Sequence, residues 1–469
     1  MNNYDVIDIK DLIQVREEQV NYSKDFVAKL CNEFTAHNQI PDAEYAKSNV
    51  KRGLRNEDGT GIMAGLTLIG SVVGYYVRDG DKVPQEGKLI YRGIDVEDLI
   101  HGFIAEGRFG FEETAYLVLF GALPTKEQLD LFRKIIAEWS TLPRNFTEDM
   151  IIKAPSRDIM NKLGRSVLAL YSYDVNPDDS SLASELFQAI RLISRTPTIV
   201  AHAYAVKRHY YDGDSLFLHD PKPELSIAEN FLRSIRRDGS YTDEEAKLLD
   251  LCLVLHAEHG GGNNSAFACR VLSSSGTDIY SAISAAVGAL KGPRHGGANA
   301  MVMAQFDELK ANIKDWTDDN EVLAYLEKII RKEAGNGSGL IYGLGHAVYT
   351  LSDPRVDILK KFARPIATQK GRLNELKLLE SVERLAKVAL NNAGKKSVIC
   401  ANVDLYSGLV YSLLGIPKEL YTPLFAIARM VGWCAHRIEE VYHSNNKIIR
   451  PAYKSLSKST VFVPLNERG

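Results

Sequence analysis

The chain has 469 residues, of which 45% are hydrophobic and 25% charged, and its 57 basic and 60 acidic side chains nearly cancel. That length suits two domains of an ordinary globular protein, and the charge balance gives no global pull toward nucleic acid or an anionic membrane. No apolar run approaches the ~20 residues of a membrane span. The charged start lacks a secretory or transit pattern. The five scattered cysteines (Cys31, Cys252, Cys269, Cys400, Cys434) form no CxxC pair and read as reduced thiols of a cytoplasmic protein.

In chain order, residues 1–50 read as one or two amphipathic helices, an N-terminal extension ahead of the glycine-rich "RGLRNEDGTGIMAG". "GLTLIGSVVGYYV" (65–77) and "GKLIYRG" (87–93) are short β-like runs separated by "RDGDKVPQE", which predicts a small hairpin or ribbon. Helical periodicity dominates from there. It runs through "SELFQAIRLI", then "EVLAYLEKIIRKEAG", then "YTPLFAIARMVGWCAHRIEEVY". In the second of these Val322, Leu326, Ile329 and Ile330 share one stripe and Gly335 supplies a stop. "NPDDSS" (176–181), "YYDGDS" (210–215) and "GNGSG" (335–339) punctuate the helices. There are no 20–50-residue repeats and no low-complexity tract. The expected class is mainly α: many short helices packed in layers, with a small N-terminal β ribbon.

Four of the eleven histidines lie between residues 256 and 346, in "HAEHGGGNNSA", "GPRHGGAN" and "GLGHAVYTLSDPR". His256 and His259, three apart, are expected on one helix face, but HxxH lacks the spacing and glutamate of HExxH, and no cysteine pair completes a metal site. "GNGSGLIYGLGH" has neither a Walker lysine nor a strand before it, so its glycines are expected to serve a flexible turn or a close backbone approach to a ligand, with a long surface loop as the alternative. There is no GxSxG elbow.

Acid–base chemistry with anion binding is what remains. Asp404 sits among apolar residues in "NVDLYSG", where desolvation would make a usable general base; the competing reading is an N-cap for the helix that follows. His295 lies where a helix begins, so the helix dipole should favour the neutral ring, with Gly296 and Gly297 leaving room for a substrate; an ordinary solvated residue is the alternative. Arg355, Arg429 and Arg450 stand among apolar or turn residues. Arg429 on an apolar helix points most directly to a bound carboxylate, against snorkelling or salt bridging. Three such arginines beside desolvated acid–base groups suggest a di- or tricarboxylate.

These motifs together resemble the citrate synthase family. The resemblance runs over residues 50–465, from "GKLIYRGIDVEDL", "FEETAYLVLFGALP", "PTIVAHAY" and "LSIAENFL" to "HAEHGGGNNSA", "GPRHGGAN", "GLGHAVY…DPR", "NVDLYSG" and "R…GWCAHRIEE". It implies a homodimer of nearly all-helical subunits, with residues 51–296 and 416–469 as a large domain, 297–415 as a small one, and the active site in the cleft between them. It implies condensation of acetyl-CoA with oxaloacetate and water to citrate and CoA, through an enol or enolate and citryl-CoA. No metal or bound cofactor is needed, and acetyl-CoA is a cosubstrate. Asp404 would take the methyl proton, His295 would hydrogen-bond the thioester oxygen and His346 would polarise the ketone. His259, Arg355 and Arg429 would hold carboxylates, together with Arg450 from the neighbouring subunit. The segment "YTLS" carries no basic residue for CoA phosphate, which leaves Lys360, Lys361, Lys395 and Lys396 as candidates. A 2-methylcitrate synthase using propionyl-CoA is the alternative, since a pocket discriminates one methylene by only about 1–3 kcal/mol.

Overall fold

The computed structural model describes residues 24–395, 399–443 and 447–468. Chain contacts divide it into two compact units, Met1–Met63 and Ala64–Gly469. The first contains helices α1 (Lys24–His37) and α2 (Asp42–Lys47) and a single 3₁₀ turn, Arg52–Leu54. Leu30 and Phe34 of α1 are exposed.

The second unit opens with the antiparallel sheet β1 (Gly70–Arg78), β2 (Asp81–Tyr91) and β3 (Ile94–Asp95), in that order. The expected ribbon is present, but its turn is far tighter than "RDGDKVPQE". The turn is Asp79-Gly80, both at positive φ (53° and 90°), the backbone a two-residue hairpin requires. The polar stretch that follows is strand. Pro84 is accommodated opposite Tyr75 next to a register shift, on a side of β2 that β3 does not reach.

Sixteen residues or fewer make up most of the helices that follow: α3 (Val96–Ala105), α4 (Phe111–Phe120), α5 (Lys126–Trp139), α6 (Ile159–Ala169), the long α7 (Leu182–Asp212), α8 (Ile227–Ile235), α9 (Asp243–His256), α10 (Asn264–Ser273), α11 (Ile279–Lys291), α12 (Ala298–Asn312), α13 (Asp319–Ile330), α14 (Pro354–Gln369), α15 (Leu373–Asn392), α16 (Asp404–Leu413) and α17 (Tyr421–His443). Local chemistry sets many of their starts. Thr125 with Gln128, Ser226 with Glu229 and Thr242 with Glu245 form capping boxes, and Asp353 caps α14 ahead of Pro354. The α13 stripe, Val322, Leu326, Ile329 and Ile330, is buried as its spacing predicts. α17 is buried nearly all round and packs against α4, α7, α9, α10 and α11, so it is the axis of the core.

One expected feature is absent. α9 ends at His256, and His259 lies in the turn beyond it, so the two histidines share no helix face.

Candidate active site

Two pieces of backbone deliver most of the candidate residues. The first joins the segment before His346 to the segment before Asp404. Leu344 and Ala401 form an antiparallel bridge, closed by Gly345 N–H to Cys400 O (2.8 Å) and Asn402 N–H to Gly343 O (2.9 Å). Gly343 sits at φ 83°, and a Cβ there would lie 2.9 Å from the Leu405 Cβ, so the approach requires glycine. Asp353 adds a second joint. Its carboxylate accepts Arg355 Nε (2.9 Å) and Nη2 (2.7 Å) and also Val403 N–H (3.2 Å), the residue before Asp404. His346, Arg355 and Asp404 therefore emerge from one knot.

The second piece is a set of rungs from α17 to the 256–258 turn. Arg429 Nε donates to His256 O (2.7 Å), Gly432 N–H to Ala257 O (3.1 Å), and His436 Nε2 meets Glu258 Oε1 (2.8 Å). Positions 429, 432 and 436 lie on one helix face. The turn carries His259, whose ring lies against His346 (5.1 Å between centroids) and Tyr349 (5.7 Å). That contact joins the two pieces. His295 reaches the same neighbourhood through Ser265. Its Nε2 is 3.1 Å from the Ser265 Oγ, which also accepts Trp433 Nε1–H from α17 (3.0 Å) and lies 2.8 Å from Asn263 Oδ1.

The electrostatics separate these groups. Burial raises the Asp404 carboxyl to about 6, with Arg355 opposing and Asp353 adding. α16 starts at Asp404 itself, and no side chain caps it, so the N-cap reading of this residue fails. Burial and then the Arg429 charge lower His295 to about 4. The neutral ring was expected, but not for this reason. His295 precedes α12, in a turn that spans 292–297, and desolvation replaces the helix dipole as the cause. Gly296 and Gly297 also serve differently than expected. A Cβ at Gly296 would lie 2.7 Å from Leu290 of α11 and one at Gly297 2.8 Å from the Pro293 Cα, so the protein's own atoms fill the space a substrate was to use. His259 is held well below the ordinary histidine range by burial, with Arg355 next. His346 Nδ1 accepts Val348 N–H (3.1 Å) and Tyr349 N–H (3.0 Å), which puts the ring proton on Nε2.

The arginines differ sharply. Burial works against the Arg355 charge, but the paired Asp353 outweighs it and pushes the group up. Arg429 is fully buried, and burial lowers it to about 10 despite Glu258. Its Nη1 and Nη2 have no partner among the described residues. Arg450 is exposed, and no hydrogen bond or ion pair among the described residues ties it to this cluster. Among the lysines, Lys360 pairs with Asp357 (2.8 Å) and Glu383 (3.2 Å), Lys361 and Lys395 are exposed, and Lys396 lies outside the described residues. Among the described residues no group of three His, Cys, Asp or Glu side chains is arranged around a metal position. His256 is instead bonded to Tyr411 OH (2.8 Å) and stacked on Phe425. Among the described residues no helix is long and apolar enough to cross a membrane.

Sequence reasoning missed Ser265, Asp353, Glu258 and His436. Asp353 in "SDPR" carries the signal of a cap before proline, and it is one; its grip on Arg355 and Val403 has no local signature.

The chain is similar to known proteins over most of its length. A family model described as "Citrate synthase, C-terminal domain" matches residues 60–452. The citrate synthase of Deinococcus radiodurans is 35% identical over 368 residues, covering 78% of this chain and 89% of its own. The 2-methylcitrate synthase 1 of Corynebacterium glutamicum is 33% identical over 431 residues, covering 90% and 99%. The citrate synthase of Thermoplasma acidophilum, solved as a ternary complex with carboxymethyl coenzyme A and oxaloacetate, superposes with a TM-score of 0.72 at 29% identity, covering 89% of this chain and 99% of its own. A buried acid, neutral imidazoles and a desolvated arginine thus sit on a helical scaffold shared with these enzymes, and the chain belongs to the citrate synthase family.

Proposed function

We propose that this chain condenses acetyl-CoA with oxaloacetate and releases citrate and CoA. The observation that carries the reading is Arg429, a fully buried guanidinium whose Nη groups have no hydrogen-bond partner among the described residues, and which faces the same Arg355 that acts on the Asp404 carboxyl, raised to about 6. Buried N–H donors left without acceptors are costly, and a carboxylate ligand accepts from both Nη groups bidentately.

In this reading the Asp404 carboxylate removes a proton from the acyl α-carbon. His295 hydrogen-bonds the thioester oxygen as it gains charge. That role needs the ring proton on Nδ1, so the Ser265 hydroxyl, which donates to Asn263 Oδ1 (2.8 Å), has to turn and donate to Nε2 instead. The enol carbon then bonds to the ketone carbon of oxaloacetate, and His346 Nε2–H donates to the ketone oxygen. Water cleaves the resulting citryl-CoA thioester to citrate and CoA. Arg355, Arg429 and His259 hold the oxaloacetate carboxylates, with Arg450 supplied by the second subunit of a homodimer. CoA phosphates fall to Lys361, Lys395 and Lys396, and to Lys360 only if it leaves Asp357 and Glu383. Residues 297–415 act as a small domain whose closure excludes water from the base.

Relatives named 2-methylcitrate synthase match about as well as those named citrate synthase, which favours propionyl-CoA as the second reading. CoA release from acetyl- and propionyl-CoA, each with oxaloacetate, separates the two. A higher kcat/KM for acetyl-CoA is expected. The reverse ratio gives the second reading, and no thiol release from either defeats both.

A further inference from the structure

We propose that Glu258 is the standing counter-charge of Arg429, a positioning residue that weakens the site's hold on polycarboxylates; this rests on Arg429 being a carboxylate ligand. Glu258 has no exposed surface. Its Oε1 accepts the His436 ring N–H (2.8 Å) and Gly260 N–H, while Oε2 has no partner among the described residues. The Arg270 guanidinium donates to His436 Nδ1 through Nε (3.2 Å) and Nη2 (2.7 Å), which places the ring proton on Nε2, facing Glu258. Arg270 is itself held by Glu440 (2.8 Å) and Glu439. A relay of three buried side chains therefore ends on one carboxylate.

That carboxylate stands beside Arg429. A Cβ on Gly432 would collide with Glu258 Oε2 and lie 3.4 Å from Arg429 Cδ, so the two side chains share the space this glycine leaves open. On the other side, a Cβ on Gly70 would lie 2.8 Å from Glu258 Cγ. Burial works to raise the Glu258 carboxyl, but His436, Arg429 and Gly260 N–H outweigh it and hold it below the ordinary glutamate range. The site thus keeps a fixed negative charge behind an arginine whose Nη groups await an anion. Without a ligand this charge compensates a buried cation. Once a polycarboxylate arrives it repels the ligand, more strongly for a trianion than for a dianion.

The sign of this effect distinguishes it from packing. Glu258→Gln keeps the shape and the acceptor for His436 but removes the charge. Calorimetric Kd values for oxaloacetate and citrate are compared in wild type and E258Q. Both are expected to fall, by about fivefold for oxaloacetate and more for citrate. Glu258→Asp, which disturbs packing but keeps the charge, is expected to bind no tighter than wild type. If E258Q does not fold, the isosteric pair E258D and E258N makes the same comparison. Wild type that binds neither ligand overturns the carboxylate reading of Arg429 and this inference with it. Wild-type binding with the neutral variants equal or weaker overturns this inference alone.

Discussion

The Asp404 carboxyl releases its proton near 3.8 in an unfolded chain and near 6 in the folded one. Between these values the native state binds the extra proton, so stability falls as pH rises through the interval and stays reduced above 6. Asp404→Asn removes that cost. It is expected to stabilise the protein by about 3 kcal/mol at about pH 8 and by well under about 1 kcal/mol at about pH 4, in denaturant unfolding at both pH values. The same substitution is expected to cut kcat at least about 100-fold, because the base is lost. An equal stability change at both pH values contradicts the raised carboxyl. At this scale the titrating residues were legible in the sequence, because an acid or arginine in an apolar run is anomalous wherever it falls. Their partners were not. Ser265 and Asp353 occupy positions that local capping already explains, and their contacts to His295 and Val403 exist only once distant segments meet.

Between elements, the contact that bears on the site is the seat of the His346 loop on the β ribbon. Thr350 Oγ1 donates to Gly74 O, and Gly87 N–H donates to Ser352 Oγ (3.0 Å). Cβ atoms at Gly74 and Gly87 would strike the Val348–Ser352 backbone. Thr350 and Ser352 belong to the "YTLS" segment, whose lack of a basic residue looked like a loss for CoA. Here those hydroxyls fasten the loop. Gly74→Ala is expected to leave the fold intact at a cost of about 1–3 kcal/mol. It should raise the oxaloacetate KM severalfold, since the displaced loop carries His346. Unchanged steady-state constants in a thermally destabilised variant count against a seat for the loop. The ribbon's existence was legible from two alternating runs. Its extent was not, because Lys82–Glu86 is polar and contains a proline, yet that strand pairs with β1 and faces the loop.

On the scale of the whole molecule, Arg450 lies in the stretch 447–468, where Tyr453, Val461 and Phe462 are 95%, 88% and 79% exposed in the single chain. Such a surface fits a segment that a second copy covers. If Arg450 works in the neighbour's site, mixing Asp404→Asn chains with Arg450→Gln chains restores activity. Each hybrid dimer then has one site with both residues intact, and a random mixture should recover about a quarter of the wild-type rate. Recovery no greater than the two variants' own residual activities places Arg450 in its own site or in none. Helical class and layering were readable from periodicity throughout. Which helix runs through the core was not, since α17 and α7 both read as apolar, and only tertiary packing makes α17 the axis.

The rungs from α17 to the 256–258 turn have a consequence for how such proteins diverge. Arg429, Gly432 and His436 each grip one of three successive residues, and two of the grips fall on backbone atoms that any residue supplies. His256 and Ala257 can therefore drift in identity without loosening their rungs. Glu258 and His436 meet side chain to side chain and are tied to each other's chemistry. Among distant relatives those two positions should change together or not at all, and an engineered chimera joining the turn of one relative to the helix of another should fail at that pair first.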